Sequence, residues 1–173
     1  MIHFKKCGLE DIETLKGISV KTFADTYGED NTEKDISLYI RNSLSDEALT
    51  EQLTNSDSLF YLMFDDEKLV GYLKLNTEKA QSKIYDKDSV EIERIYVLDE
   101  FQQRGFGQQM LDKAIEIAKQ LDKGSLWLAV WEKNNGAISF YRKNHFKQVE
   151  TITFVLGETL FTGLVMKRFL ISN

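Results

Sequence analysis

The chain has 173 residues, no proline and one cysteine (Cys7), and its 22 basic against 28 acidic residues give a net charge of −6. That length predicts one domain spanning residues 1–173, while the single cysteine excludes a disulfide framework and a cysteine-based metal centre, and no metal site is expected. The acidic balance disfavours nucleic acid, and the absence of a long apolar run, with Lys5, Lys6, Glu10, Asp11 and Glu13 near the start, predicts no membrane partner and a cytoplasmic location.

The first strand is expected at Ile2 to Lys6. A helical stripe follows, formed by Leu9, Ile12, Leu15, Ile18 and Phe23. The segment from Asp25 to Asn55 is acidic and helical in character. Two apolar runs, Leu59 to Phe64 and Leu69 to Leu75, flank Asp65-Asp66-Glu67-Lys68 and read as a hairpin. Thr77 to Asp88 is a polar connection, and Ser89 to Leu98 is the central strand. Phe106 to Leu121 carries Met110, Leu111, Ala114, Ile115, Ala118 and Leu121 on one helical face. Leu126 to Val130 has no polar residue and suggests a strand covered on both sides. A second helix is expected over Asn134 to Lys143, and a final hairpin over Gln148 to Leu156 and Leu160 to Phe169. Mixed strands and helices imply an α+β fold, an α/β sandwich around a mixed, mostly antiparallel sheet with helices on both faces.

The junction after the central strand carries the chemistry. Ile92 to Val97 leads into Gln102-Gln103-Arg104-Gly105-Phe106-Gly107-Gln108, with a helix expected from the second glycine. The first N–H groups of a helix have no partner of their own, and its dipole favours an anion there. Glycines let the chain turn and a ligand approach closely. A P-loop needs Gly-x-x-x-x-Gly-Lys-Ser/Thr, which is missing. A dinucleotide fingerprint needs a third glycine where Met110 stands. What remains is Gln-x-x-Gly-x-Gly after a strand. An ordinary strand-turn-helix connection would look the same without its flanks.

This loop resembles the pyrophosphate loop of the GNAT superfamily of acetyl-CoA-dependent N-acyltransferases. The stretch Asn134 to Phe146 is similar to that family's N-x-x-A-x-x-F-Y-x-K-x-G-F. More narrowly, the chain resembles the PaiA-type spermidine/spermine N-acetyltransferases. The residues are Thr22 to Tyr27, Gly71-Tyr72-Leu73-Lys74, Ala80-Gln81-Ser82, Glu91 to Tyr96 and Trp127 to Asn134. One departure stands out: the family glycine after the short helix is His145 here. Asn144 or His145 must then supply any left-handed residue at that helix end.

The resemblance implies acetylation of an amine by direct attack on the thioester of acetyl-CoA. Backbone groups of Ile95, Tyr96 and Val97 would pair with the pantetheine arm. Those of Gln103, Arg104, Gly105, Phe106, Gly107 and Gln108 would hold the pyrophosphate, with Asn134 also at the cofactor. Tyr141 matches the tyrosine that protonates the leaving thiolate; a buried core tyrosine is the alternative. Glu91 and Glu93, two apart in a strand, point to one face. Either could draw an ammonium and accept its proton, or simply pair with Arg94 or a lysine. The acidic run Asp25, Glu29, Asp30, Glu33 and Asp35 lies where the family builds its acceptor site. With Asp25, Glu33, Tyr27 and Trp131 as contacts it would suit a polycationic small-molecule amine such as spermidine or spermine; a solvated helix face is the alternative. Another amine acceptor (an aminoglycoside or a protein N-terminus) and a non-catalytic acetyl-CoA-binding regulator remain as readings. A homodimer is compatible with all of them.

Overall fold

The computed structural model describes residues 1–83 and 86–170. Strand β1 (Ile2–Lys6) leads through a 3-10 turn into helix α1 (Ile12–Tyr27), followed by α2 (Glu33–Ser43) and α3 (Asp46–Thr54). Strands β2 (Ser58–Asp65), β3 (Lys68–Asn76) and β4 (Ser89–Val97) come next. Helix α4 (Phe106–Gln120), strand β5 (Ser125–Trp131), helix α5 (Asn135–Lys143) and the hairpin β6 (Lys147–Leu156) and β7 (Thr159–Phe169) complete the chain. The polar connection expected over 77–88 includes residues 84 and 85, which lie outside the described residues.

The strands form one seven-stranded sheet in the order β1-β2-β3-β4-β5-β7-β6. Every pairing is antiparallel except β4 with β5. One side buries Met110, Leu111, Ala114 and Ala118 of α4 and Ile138 of α5 against Val90, Ile92 and Leu128. The other buries Leu15, Ile18 and Phe23 of α1 and Leu49 of α3 against Phe60, Leu62 and Tyr72. The alternation of side chains along each strand is what lets one sheet carry both layers.

Several element boundaries differ from expectation. Leu9 is exposed and sits in the 3-10 turn, so the buried stripe of α1 begins at Leu15. Helix α4 starts at Phe106 rather than at Gly107, because Gly105 is its left-handed N-cap with φ +83°. Asn134 lies outside α5 as its N-cap, its Oδ1 accepting from Ala137 N at 3.1 Å. Leu121 caps α4 and is exposed. His145 takes the left-handed position after α5 with φ +68°. Asn and His tolerate that region better than most residues.

Candidate active site

Strands β4 and β5 pair only at Ser89–Ser125, Val90–Leu126 and Glu91–Trp127. Beyond Glu91 they part, while β4 stays bonded to β3 through Val97 and β5 to β7 through Trp131. The result is a V-shaped gap with a free backbone edge on the β4 side. An extended chain with amide groups can add to such an edge as a strand would.

The gap opens a cleft of about 340 Å³. Glu93, Ile95, Tyr96 and Val97 of β4, Trp131 of β5, Asn134 and Tyr141 of the α5 region, and Tyr27 of α1 line it. A second recess continues past Ile95 and Val97 to Gln103, Gly107 and Phe140, and Tyr141 lines both. The Gly-x-Gly turn therefore lies at one end of the cleft and the paired α1 and β5 aromatics at the other. Tyr27 and Trp131 stand with ring centroids 6.3 Å apart.

The turn is shaped for backbone recognition. Gln103 and Gly105 both have positive φ, +61° and +83°. A Cβ on Gly107 would meet only open space. Side chains around the turn are engaged elsewhere. Phe106 is in the core, Arg104 lies over the Phe101 ring at 5.6 Å, and Gln108 Nε2 donates to Asp112 and Asn144, each at 2.9 Å. What faces an incoming phosphate is the N-terminus of α4.

Tyr141 is buried, with its ring edge-on to Phe140 and Phe146. Burial, and to a lesser degree the nearby Tyr27, holds its hydroxyl above the ordinary tyrosine range. It stays protonated at neutral pH and can donate a hydrogen bond into the cleft.

The two β4 glutamates have different surroundings. A bulge in the β3–β4 ladder pairs Leu75 with Ile92 and Lys74 with Arg94, leaving Glu93 as the extra residue. Glu93 lines the cleft. Glu91 does not: it is buried, and its oxygens accept from the Ser82 backbone N–H at 2.8 Å, from the Ser82 hydroxyl, and from Asn76 Nδ2 at 3.0 Å. Burial pushes Glu91 up despite those bonds. The two side chains do share a face, both accepting from Asn76 Nδ2, but the expectation that Glu91 also meets an acceptor is corrected, because Glu91 is tied to the β3–β4 connection and only Glu93 of the two lines the cleft. Burial would also raise Glu93, but Arg94 and Lys74 outweigh it and hold it below its ordinary value.

The acidic run is likewise divided. Asp25 pairs with Lys21 on the exposed side of α1, and Glu33 is exposed on the first turn of α2; neither lines the cleft. The helix periodicity of α1 turns Asp25 away from Tyr27. Asp35 is buried and locks the β6–β7 turn, accepting from Glu158 N at 2.7 Å and Thr159 Oγ1 at 2.9 Å. Asp30 of the run lines a recess that shares Trp131 with the cleft and includes Glu132 and Lys133. The sequence reading missed Glu132, which follows the motif tryptophan, and the Lys74–Arg94 pair, which a charged residue in two adjacent apolar strands could have signalled.

Among the described residues no helix is long and apolar enough to cross a membrane. The profile of the acetyltransferase (GNAT) family matches residues 23–146. The chain is 35% identical over 162 residues, 94% of both chains, to an uncharacterised N-acetyltransferase in the pepI 3′ region of Lactobacillus delbrueckii subsp. lactis. It is 30% identical over 154 residues, 87% of this chain and 91% of the relative, to the spermidine N(1)-acetyltransferase of Thermoplasma acidophilum. Its fold is similar to the crystal structure of the PaiA N-acetyltransferase from Thermoplasma acidophilum in complex with coenzyme A. The TM-score is 0.81, at 27% identity, covering 98% of this chain and 99% of that one. The open β4 edge and the bare α4 N-terminus fit such a co-substrate. The chain belongs to the GNAT family and is an acetyl-CoA-dependent N-acetyltransferase.

Proposed function

We propose that the acceptor is a linear polyamine of the spermidine and spermine class, and that the cleft binds it with the reacting nitrogen inward and a distal ammonium outward. The observation that carries this is the recess beside the cleft, where Trp131 joins Asp30 and Glu132. Lys133 Nζ already lies over the Trp131 ring at 5.8 Å, so the recess accommodates an ammonium beside that aromatic face, and an acceptor ammonium would take the place of Lys133 near Asp30 and Glu132. The spermidine N(1)-acetyltransferase relative supports the same acceptor class. Asp25 and Glu33 have no part in this arrangement.

The remaining roles follow from position. The β4 edge at Ile95, Tyr96 and Val97 takes the pantetheine amides. The backbone N–H groups from Gln103 to Gln108 take the pyrophosphate. Asn134 shapes the mouth while capping α5. Holding amine and thioester in line supplies much of the rate by itself. Tyr141 stabilises the departing thiolate by donating a hydrogen bond. An ordinary tyrosine is a weaker acid than a thiol by about 1.5 pKa units. Burial widens that gap, so full transfer is uphill and the hydrogen bond is the main contribution.

A thiol-release assay with acetyl-CoA over spermine, spermidine, a monoamine, an aminoglycoside and a peptide N-terminus tests this reading. The polyamines should give the highest kcat/KM. Preference for a neutral or monocationic acceptor would overturn it and leave the acetyl transfer standing.

A further inference from the structure

Two distant segments of the chain wall the recess beside the cleft. The connector between α1 and α2 supplies Asp30, and the start of β7 supplies Thr159, Leu160, Phe161 and Thr162. The floor belongs to the β7 side. Glu132 N donates to Thr162 O at 3.0 Å, and the Trp131 ring stands edge-on to Phe161 with centroids 5.6 Å apart. The connector is not part of the sheet, so contacts outside the ladder set its distance from β7. At its α1 end Tyr27 packs against Trp131. At its α2 end the tie is Asp35.

Asp35 is only 4% exposed, although Glu33 and Lys34 beside it on the first turn of α2 are exposed. Its Oδ1 accepts from Glu158 N at 2.7 Å, and its Oδ2 accepts from Thr159 Oγ1 at 2.9 Å and from Thr32 Oγ1 at 3.0 Å. Thr32 is also the N-cap of α2, its Oγ1 accepting from Asp35 N at 3.1 Å. The carboxylate therefore joins the end of the connector to the β6–β7 turn, and Thr159 is at once its partner and a wall of the recess. The bonds from Glu158 and Thr159 hold Asp35 below its ordinary value, so it stays the charged acceptor at neutral pH. The turn is shaped to meet it. Gly157 has φ +63°, and a Cβ there would stand 2.5 Å from Asp35 Cα, so a side chain would force the two backbones apart. A buried carboxylate is costly unless its bonds are made, and once made they fix direction and distance more closely than apolar contact does.

We propose that Asp35 is a specificity-determining positioning residue for the acceptor. By clasping the α1–α2 connector to the start of β7, it fixes the separation between Asp30 and the opposite wall and keeps the recess shaped for an outer ammonium. Asp35 itself does not touch the acceptor. Its effect is confined to acceptors long enough to reach the recess, because the β4 edge, the Gly-x-Gly turn and Tyr141 lie on other elements. This inference rests on the reading that the recess receives the distal ammonium of a polyamine.

The test compares KM for spermine with KM for a monoamine, alongside kcat and coenzyme A affinity. Asp35→Ala keeps the bond from its own N–H to Thr32 and removes the tie to the turn. The spermine KM should rise about 3- to 10-fold, the range expected from loosening two solvent-accessible ion pairs. The monoamine KM, kcat and coenzyme A affinity should not change. Asp35→Asn can keep the tie without the charge, since both threonine hydroxyls can also accept, so its spermine KM should stay near the parent's. A rise as large as that of Asp35→Ala would make the charge the cause and overturn the proposal. In a protein already carrying Asp30→Asn and Glu132→Gln, Asp35→Ala should have no further effect, because it acts through those residues. A full, additive effect there would also overturn it. Thr159→Val removes one bond of the tie at an exposed position and takes the same place in the cycle if Asp35→Ala does not fold. If Asp30→Asn with Glu132→Gln leaves the spermine KM unchanged, the recess reading falls and this inference with it. A response of that double variant without one from the tie overturns this inference alone.

Discussion

Gly71 of β3 lies against the backbone of Tyr96 in β4: a Cβ built on Gly71 would stand 2.5 Å from the Tyr96 carbonyl oxygen and 2.5 Å from Met110 Cε. The methionine end can swing aside, but the carbonyl belongs to the strand that edges the cleft. Gly71 therefore sets how closely β3 supports β4 at the point where the β4–β5 gap is widest.

Gly71→Ala should accordingly cost about 1–3 kcal/mol through overpacking. In a domain of this size that corresponds to a Tm lower by about 2–4 °C per kcal/mol. Because β4 must move, coenzyme A affinity should fall as well. Calorimetric unfolding and titration together check this. An unchanged Tm would mean that the strands separate without strain.

The two loop glycines should fail in different ways. Gly107→Val meets nothing in the free protein, so its Tm should match the parent while coenzyme A binding is lost. Gly105→Val must adopt φ +83°, which costs about 1–2 kcal/mol in a side-chain-bearing residue, so it should lose stability as well as binding. Normal affinity in both folded variants would remove the phosphate role of this turn.

Tyr141→Phe keeps the ring contacts with Phe140 and Phe146 and removes the donor. We expect kcat to drop ~10²-fold with coenzyme A affinity little changed. The raised hydroxyl pKa also has a sign consequence. Tyr141 remains the protonated donor through pH 10, the ordinary tyrosine value, so its ionisation should cause no fall in kcat below that pH. A descending limb near pH 9 that disappears in Tyr141→Phe would contradict the burial argument.

Substrate choice separates the recess from the outer acidic surface. Asp30→Asn combined with Glu132→Gln should raise KM for spermine about 3- to 10-fold, as expected for two solvent-accessible ion pairs. The monoamine KM should change little. Asp25→Asn combined with Glu33→Gln should leave both unchanged. Salt should raise the spermine KM more steeply than the monoamine KM, since the Debye length falls from ~10 Å at 0.1 M to ~3 Å at 1 M. Equal sensitivity of the two double variants would show only long-range attraction.

Elements with strong periodicity were legible before any coordinates. Met110, Leu111, Ala114 and Ala118 recur at helical spacing and all face the core. The runs on either side of Asp65-Asp66-Glu67-Lys68 pair as the hairpin they suggest. The Gly-x-Gly turn and Tyr141 could also be read, because local spacing encodes a turn and a motif directly. Leu9 was misplaced because a 3-10 turn breaks the periodicity before α1 begins.

Partnership across the sheet was another matter. Glu91 and Glu93 are alike in sequence, and alternation predicts one shared face. They do share Asn76 Nδ2 as a partner, yet of the two only Glu93 lines the cleft, because Ser82 claims Glu91. The run from Asp25 to Asp35 reads as one acidic patch, yet its members became a surface ion pair, a recess wall and a buried turn lock. The sequence by itself determined the elements, the family and the Gly-x-Gly turn, because those depend on neighbours within a few residues. Which carboxylate lines the cleft, and that two buried cations stand behind it, depends on register and layer packing between distant segments, and only the tertiary structure decided it.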